Sequence, residues 1–273
     1  MSWVILSLSD WKTRSKSDRQ MAHAENAAAL LAARAVVSDA REHISAQLLQ
    51  VSGRALYSPA STLVSGSPYY FLGVNPGEAP DVGQIHSSIT VEADLTRLEE
   101  GHVAEHGYLD EQWKSHAPGS APIQVRGQQL FALLSGDPKE DGRALLRRTP
   151  TSNFVLQRST SVEALRQRTG SSESELALHY WPFHQAVIRE TNCEAVITHA
   201  VGIARYLAGA FGLGVGTVRP SGWGGTLANC YAWRLREGPM LLAVPNLSRY
   251  SPDGLREPAL RAFFQEFLTS LEK

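Results

Sequence analysis

Four short apolar runs, separated by amphipathic stretches, organise most of the chain. The runs are YYFLGV (69–74), SNFVLQ (152–157), EAVITHA (194–200) and MLLAVPN (240–246). Each is nearly continuous rather than alternating, which is typical of parallel strands covered on both faces. A helical pattern follows each run, and the last begins at Glu257-Pro258, a common helix start. The alternation predicts an α/β fold, a three-layer α/β/α arrangement around a central four-stranded parallel sheet with right-handed crossovers.

Three segments depart from this alternation. Residues 17–50 contain no glycine or proline and hold ten alanines, a composition that favours a long helix or helix pair. We therefore predict an N-terminal helical extension over residues 1–60 and an α/β domain over 61–273. Residues 78–126 are polar and rich in His and Glu, and we interpret them as a long insertion with some helix. The segment ANCYAWRLREGPMLLAV (228–244) predicts a hairpin with its turn at Glu237-Gly238.

Composition limits the classes of partner and compartment. The formal net charge is −1, with 43% hydrophobic and 19% charged residues, so a nucleic acid would have to meet a local basic patch. Two cysteines, Cys193 and Cys230, are too few for a disulfide framework or a four-cysteine iron–sulfur cluster. The N-terminus lacks the pattern of a secretory signal, and no stretch reaches the ~18 apolar residues of a membrane span. We expect a cytoplasmic protein with no membrane partner.

The first apolar run ends abruptly in the loop GVNPG (73–77). In an open parallel sheet, ligands bind at the carboxyl ends of the strands. A Gly/Pro turn there would offer backbone amides to a ligand and hold the Asn75 carboxamide toward the crevice. The alternative is an ordinary strand-to-helix turn with nothing bound, since such turn signals are common.

Four motifs, taken together, resemble the uracil-DNA glycosylase superfamily. GVNPG is similar to the GINPG loop of its mismatch-specific branch, and VPNLSR (244–249) is similar to a shortened form of the motif that follows the family's last strand. SNFVLQRS (152–159) resembles the second strand, and EAVITHAVGIARYLAGAFG (194–212) resembles the segment before the last strand. The resemblance covers residues 69–77 and 151–271, and it implies a monofunctional DNA glycosylase without a cofactor.

The resemblance also implies roles for individual residues. Asn75 would position the attacking water, and Glu78 and Asp81 are candidates for a general base. Gly73, Val74, Pro76 and Gly77 would line the base pocket, while Asn153 would bind the pairing edge of a flipped base. DNA contacts would come from one strand-end arginine and the loop after the last strand, where Leu247 would be a wedge and Arg249 a phosphate contact. The predicted DNA-binding set is Arg158, Pro245, Asn246, Leu247, Ser248, Arg249 and Tyr250.

Two departures from the family pattern shape the expected substrate. Val244 stands where many members have a histidine, which removes the obvious electrophile for the leaving base. The connection over residues 78–126 is much longer than the family's usual pocket-forming link, so we expect it to reshape the pocket for a base larger than uracil, such as a hydroxymethylated or glucosylated cytosine of phage DNA. Tyr108, Trp113 and Phe131 are candidate stacking partners for such a base, or else they pack the insertion.

Other functions stay open at this point. Asn75 and Val244 would also suit a catalytically inactive nucleic-acid-binding protein on the same fold. HVAEH (102–106) matches the H-x-x-E-H pattern of some zinc proteases, which suggests a metallohydrolase using His102 and His106. Gly101 and Gly107 bracket that match and leave barely one helical turn, so a solvated surface is the simpler interpretation. We expect a monomer whose partner is DNA with a damaged or modified base, with no metal and no cofactor.

Overall fold

A six-stranded mixed sheet forms the centre of the protein in the computed structural model, which describes residues 16–75, 77, 89–135, 142–223, 228–236 and 238–268. Its strands lie in the order β2-β1-β3-β6-β5-β4. The strands are β1 (Tyr69–Gly73), β2 (Thr151–Asn153), β3 (Ala195–Thr198), β4 (Thr217–Pro220), β5 (Asn229–Arg234) and β6 (Met240–Ala243). The α/β class is confirmed, but the predicted count of four strands is wrong.

The parallel part of the sheet corresponds to the four predicted apolar runs, but β2 covers only Thr151–Asn153. Most of the strand predicted over 152–157 is therefore not strand, and Asn153 ends β2 instead of beginning it. Strand β1 pairs in parallel with β2 and β3, and β3 pairs in parallel with β6. The predicted hairpin then continues the sheet, because β5 pairs antiparallel with β6. Strand β4 adds a second antiparallel edge strand to β5. It escaped the sequence analysis because three of its four residues are exposed and it contains Pro220, so it has no buried apolar run.

Helices cover both faces of the sheet. They are α1 (Lys16–His43), α2 (Ala46–Leu49), α3 (Val91–Glu99), α4 (Pro122–Leu134), α5 (Gly142–Arg148), α6 (Val162–Thr169), α7 (Glu173–Thr191), α8 (Val201–Ala210) and α9 (Glu257–Phe267). Short 3₁₀ helices occupy Ala60–Val64 and Gly254–Arg256. None of the described helices is both long and apolar enough to cross a membrane.

Alternation along the strands sends side chains into two separate cores. Tyr70 and Leu72 of β1 belong to the core built with α1, α7 and α8, whereas Tyr69 and Phe71 belong to the core built with α4, α5 and α9. Successive side chains of a strand point to opposite faces, so both faces of β1 are buried. This explains why its sequence is continuously apolar.

The N-terminal region is part of the domain's own core. The predicted helix pair appears as α1 and α2, and Ala33, Val36 and Val37 of α1 are fully buried in the first core. Residues 51–57 then run along the outer side of β2, where Arg54 N donates to Leu156 O and Tyr57 N donates to Thr151 O. The extension predicted over residues 1–60 therefore packs against the α/β domain over its described length.

The described part of the insertion, residues 89–126, contains α3 and the first turn of α4. Residues 51–57 hold it in place: Val91 N donates to Val51 O, and Ala55 N donates to the Asp94 carboxylate at 2.8 Å. An ion pair between Arg54 and Glu111 also joins residues 51–57 to the insertion. The Arg54 guanidinium lies 4.0 Å from the Tyr57 ring centroid. The insertion is therefore anchored beside β2, next to the carboxyl end of β1.

Candidate functional site at the carboxyl edge of the sheet

Four predicted motifs lie at the same edge of the sheet, at the carboxyl ends of its parallel strands. Gly73 ends β1, Asn153 ends β2, His199 directly follows β3 and Val244 directly follows β6. In the parallel register Gly73 pairs with Asn153, and Leu72 pairs with Thr198. Side chains two residues apart along a strand lie on the same face of the sheet. Gly73, His199 and Val244 are therefore on the face that carries Phe71, Ile197 and Leu242, and the register places Asn153 on it as well. Because all four strands are parallel, the motif loops meet at the same carboxyl edge.

Gly73 lies at the closest approach of these strand ends. A Cβ atom at this position would lie 2.0 Å from Asn153 Oδ1 and 3.4 Å from His199 Nε2. The Asn153 side chain and the imidazole are therefore both directed at the bare backbone of Gly73. Only glycine leaves room for both groups, which gives the first glycine of GVNPG a steric role.

Asn153 and His199 are both buried, with exposed fractions of 7% and 3%. Burial lowers the pKa of His199 to about 4, although its own backbone and the Asn246 carboxamide act in the opposite direction. Asn246 is thus a close neighbour of the imidazole, but it makes no well-formed hydrogen bond with either ring nitrogen within the described structure. At neutral pH the site therefore contains an uncharged imidazole whose ring nitrogens are not saturated by hydrogen bonds.

The loop after β1 is held from two sides. Arg158 donates from Nη1 to Gly77 O at 3.2 Å, and residues 77 and 159 form a parallel β-bridge. On the other side, a Cβ on Gly77 would lie 2.6 Å from the Trp113 indole, so Trp113 of the insertion packs directly on this loop. Asn75 lies between Gly73 and Gly77. Pro76, Glu78 and Asp81 lie outside the described residues.

Arg158 does not occupy the surface position expected of a phosphate contact. It is 6% exposed, and its Nε atom has no hydrogen-bond partner within the described structure. The segment after β2 passes beside the β1 loop, where residues 77 and 159 form their bridge, and this brings the guanidinium to Gly77 O. Its observed contact positions Gly77, and the prediction of a DNA contact at the surface does not fit this burial.

The loop after β6 divides into buried and exposed parts. Leu247 is fully buried in the second core, so it does not project as a wedge. Arg126 donates from Nη1 to Leu247 O at 2.8 Å and fixes the loop to α4. Ser248 and Arg249 are exposed, and Tyr250 packs against Trp223 with ring centroids 5.2 Å apart. Pro245 is buried, and Asn246 accepts from Ser248 N at 2.8 Å. The surface that can meet a large ligand is therefore Ser248 and Arg249.

The three candidate stacking aromatics have different environments. Tyr108 and Phe131 are buried and both contact Phe71 edge-on, with ring centroids 5.3 Å apart in each pair. They pack the core. Trp113 is only partly buried and lies on Gly77, so it is the insertion aromatic at the wall of the site.

The HVAEH segment lacks the geometry of a metal site. Residues 101–106 are not helical, so the two histidines cannot share a helix face. His102 is exposed and pairs with Glu100, whereas His106 is buried and lies 3.4 Å from Thr151 Oγ1. Within the described residues, the one group with metal-ligand spacing is Asp39, Glu42 and His43 on the outside of α1, where Arg189 already contacts Asp39.

An open groove of about 1160 Å³ lies elsewhere on the protein. It is lined by residues that precede β3 and β6, among them Cys193, Glu194 and Pro239, and so it lies at the amino edge of the sheet. The motif loops are at the opposite edge. This groove is therefore separate from the site built by Gly73, Asn153 and His199.

The sequence analysis missed His199. The signal was available in principle, because this polar residue directly follows a buried strand whose neighbours all end in motif loops. No protein-family model matches this chain, and a search of curated proteins finds no significant match.

Proposed function

We propose that this protein is a DNA glycosylase that hydrolyses the N-glycosidic bond of a flipped, modified pyrimidine and leaves an abasic site. The observation that carries the proposal is the convergence of Gly73, Asn153 and the Asn246 loop at one edge of the sheet. The four motifs that resemble the uracil-DNA glycosylase superfamily are far apart in the sequence, and their meeting supports a common site.

The reaction needs two kinds of help from the protein. Breaking the bond places positive charge on the sugar and negative charge on the departing base, so preorganised donors near the base lower the barrier. A water molecule must also be held beside the sugar carbon. Asn75 is proposed to orient that water through its carboxamide, and Glu78 or Asp81 to accept its proton.

Base recognition is assigned to Asn153. Its carboxamide offers both a donor and an acceptor, as the pairing edge of a pyrimidine requires. Its Oδ1 atom lies close to the bare backbone of Gly73, which places the carboxamide at the carboxyl edge of the sheet. A flipped base would lie against the backbone of the β1 loop.

Trp113 supports a substrate bulkier than uracil. It belongs to the long insertion and packs on Gly77 at the wall of the site, where it can stack on a base or its substituent. Base–aromatic stacking contributes about 1–3 kcal/mol per base. Hydroxymethylated and glucosylated cytosines are the substrate class that we propose for it.

DNA contact is assigned to the exposed end of the β6 loop. Arg249 is exposed and forms no ion pair within the described structure, so its guanidinium is available to a phosphate. Arg158 is proposed to act indirectly, by holding Gly77 in place.

The test is a base-release assay on labelled oligonucleotides, both single- and double-stranded. Each contains uracil, a G·T mismatch, 5-hydroxymethylcytosine or its glucosylated form. Released bases are identified by mass spectrometry, and abasic sites by alkaline cleavage. We expect release from at least one modified substrate, with a loss of about 10²-fold or more in Asn75→Ala and Asn153→Ala.

Gln185→Ala is the matched control, because Gln185 is exposed and lines the remote groove at the amino edge. It should retain full activity. If no substrate releases a base, the glycosylase proposal is wrong.

A second candidate, a nucleic-acid-binding protein without activity, is favoured by one observation. Val244 is fully buried and apolar at the position where many glycosylases carry a histidine. Binding of the same oligonucleotides with no base release, and with weaker binding in Arg249→Ala, would support this candidate.

A further inference from the structure

Five described side chains keep buried polar atoms with no hydrogen-bond partner in the described structure. They are Gln157, Arg158, His199, Trp223 and Trp233. Leaving such groups unpaired is costly, and each one in a native protein needs an explanation. His199 is the one whose ring faces Gly73 and Asn153.

His199 differs from the other two buried histidines in the hydrogen bonds of its ring nitrogens. In His184, Nδ1 lies 2.7 Å from the Tyr70 hydroxyl and Nε2 lies 3.1 Å from Phe154 O. In His106, Nδ1 accepts from Tyr108 N at 3.3 Å, and Nε2 lies 3.4 Å from Thr151 Oγ1. Both rings are used inside the fold, whereas His199 has neither nitrogen paired with a described residue.

The position of His199 indicates what its unused nitrogen would meet. Nε2 would be 3.4 Å from a Cβ on Gly73, a position that lies 2.0 Å from Asn153 Oδ1. Nε2 and the Asn153 carboxamide therefore face the same small region of the β1 loop. A base whose edge is held by Asn153 would therefore bring a carbonyl oxygen toward this imidazole.

The protonation state fits a donor of hydrogen bonds rather than of protons. Burial holds the pKa of His199 at about 4, so at neutral pH the ring is uncharged and carries one N–H group. Nearby charge is not needed for such a group to stabilise a developing anion, because a preorganised dipole in a buried site is sufficient.

We propose that His199 is a catalytic residue that donates a hydrogen bond from Nε2 to the carbonyl oxygen of the departing base. This inference rests on the proposed glycosylase function and adds the group that stabilises the leaving anion. Strand β3 would thereby supply the electrophile that the β6 loop, with Val244, does not.

The step balances without any further reactant. The C1′–N bond breaks and its electron pair goes to the base, whose negative charge spreads from the ring nitrogen to the carbonyl oxygen. Water attacks C1′ and loses its proton to a carboxylate or to solvent. The anionic base, held by the His199 N–H, later takes a proton from solvent, and His199 itself is unchanged.

The first test compares His199→Phe and His199→Gln by single-turnover base release with excess protein. The phenyl ring preserves most of the volume but removes the donor, whereas the carboxamide restores a donor. We expect His199→Phe to lose about 10²–10³-fold in rate and His199→Gln to recover at least tenfold of that loss. Binding of DNA with a non-cleavable 2′-fluoro nucleotide should change less than threefold in both variants.

The second test varies the leaving group, which a purely structural role would not affect. 5-Formylcytosine carries a more electron-withdrawing 5-substituent than 5-hydroxymethylcytosine, so its departure depends less on stabilisation by the protein. His199→Phe should therefore slow release of 5-formylcytosine several-fold less than release of 5-hydroxymethylcytosine from the same oligonucleotide.

Tyr180→Phe is the control, because Tyr180 is buried and its hydroxyl donates to Leu48 O at 3.2 Å, away from the motif loops. Thermal unfolding of His199→Phe and Tyr180→Phe is measured alongside. Equal losses for both bases, or a loss in His199→Phe that is matched in Tyr180→Phe, would overturn the role of His199 while leaving the glycosylase proposal intact. Absence of base release by the unaltered chain from every substrate would overturn both.

Discussion

At the residue scale, the site depends on Gly73 having no side chain. A backbone without a side chain allows the Asn153 carboxamide and the His199 imidazole to approach the same point. Both groups are buried, so neither can swing into solvent to make room. A single added methyl group is therefore a sensitive probe of the site.

We predict that Gly73→Ala displaces Asn153, because the new Cβ would lie 2.0 Å from its Oδ1 atom. Overpacking of this kind costs about 1–3 kcal/mol, measured as the free energy of unfolding in urea, and base release should fall at least tenfold.

Gly209→Ala is the control, since Gly209 lies inside α8 and a Cβ there meets nothing within 4 Å. That change should stabilise the helix by about 0.5–1 kcal/mol and leave activity intact. Equal effects of the two changes would contradict the steric role of Gly73.

At the element scale, the long insertion is attached through residues 51–57. This segment lies between β2 and the start of α3, and it carries Arg54, whose guanidinium pairs with Glu111 of the insertion. Their side chains are 13% and 23% exposed. Because both groups are largely shielded from water, removing one of them leaves the other poorly solvated and costs more than breaking a surface ion pair.

We predict that Arg54→Met destabilises the protein by about 2–4 kcal/mol, since it leaves the partly buried Glu111 carboxylate without its cation. Arg219→Met breaks a pair with Glu266 whose side chains are 45% and 39% exposed, and it should cost much less, because solvent screens both charges.

Chemical denaturation of both variants measures the difference. Hydrogen exchange should also show increased opening of α3 in Arg54→Met alone. A similar cost for both arginines would mean that Arg54 does not fasten the insertion.

At the scale of the whole molecule, three buried histidines make stability depend on pH. Burial lowers the pKa values of His106, His184 and His199 to about 4 in the folded protein. In the unfolded chain each would titrate near its ordinary value of about 6.5. Between these values the unfolded state binds more protons, so acidification favours unfolding.

We predict that titration of these three histidines does not change the free energy of unfolding above pH 6.5. As the pH drops from 6.5 toward 4, their titration lowers it. Three protons correspond to a slope of about 4 kcal/mol per pH unit. Burial raises the pKa of Asp94, which opposes part of this loss at the acidic end. Urea titrations at pH 7.5, 6.0 and 5.0 measure the slope.

His184→Gln should reduce the slope by about one third, because one of the three groups is removed. The exposed-residue change His179→Gln serves as the comparison. If the unaltered protein, His184→Gln and His179→Gln had the same slope, the buried histidines would not be the cause of the loss of stability in acid.

The sequence by itself determined the elements whose signals are local. The four parallel strands, the β5–β6 hairpin and the helices α1, α7 and α9 all follow from apolar runs, helical spacing and capping residues that lie within a few positions of one another. It also indicated that GVNPG and the 244–249 motif follow strands, whereas it placed Asn153 near the start of a strand that ends there in the structure. These signals are readable because backbone periodicity alone decides which residues must be buried.

Only the tertiary structure decided how these pieces meet, because the deciding contacts join residues that are distant in the chain. Strand β4 was invisible in the sequence, since hydrogen bonds to β5 hold it rather than an apolar pattern of its own. Burial turned Leu247 and Arg158 inward, away from the surface roles that their types suggested. The unpartnered state of His199 and the packing of Trp113 on Gly77 likewise depend on the geometry of several chain segments at once, which no local pattern encodes.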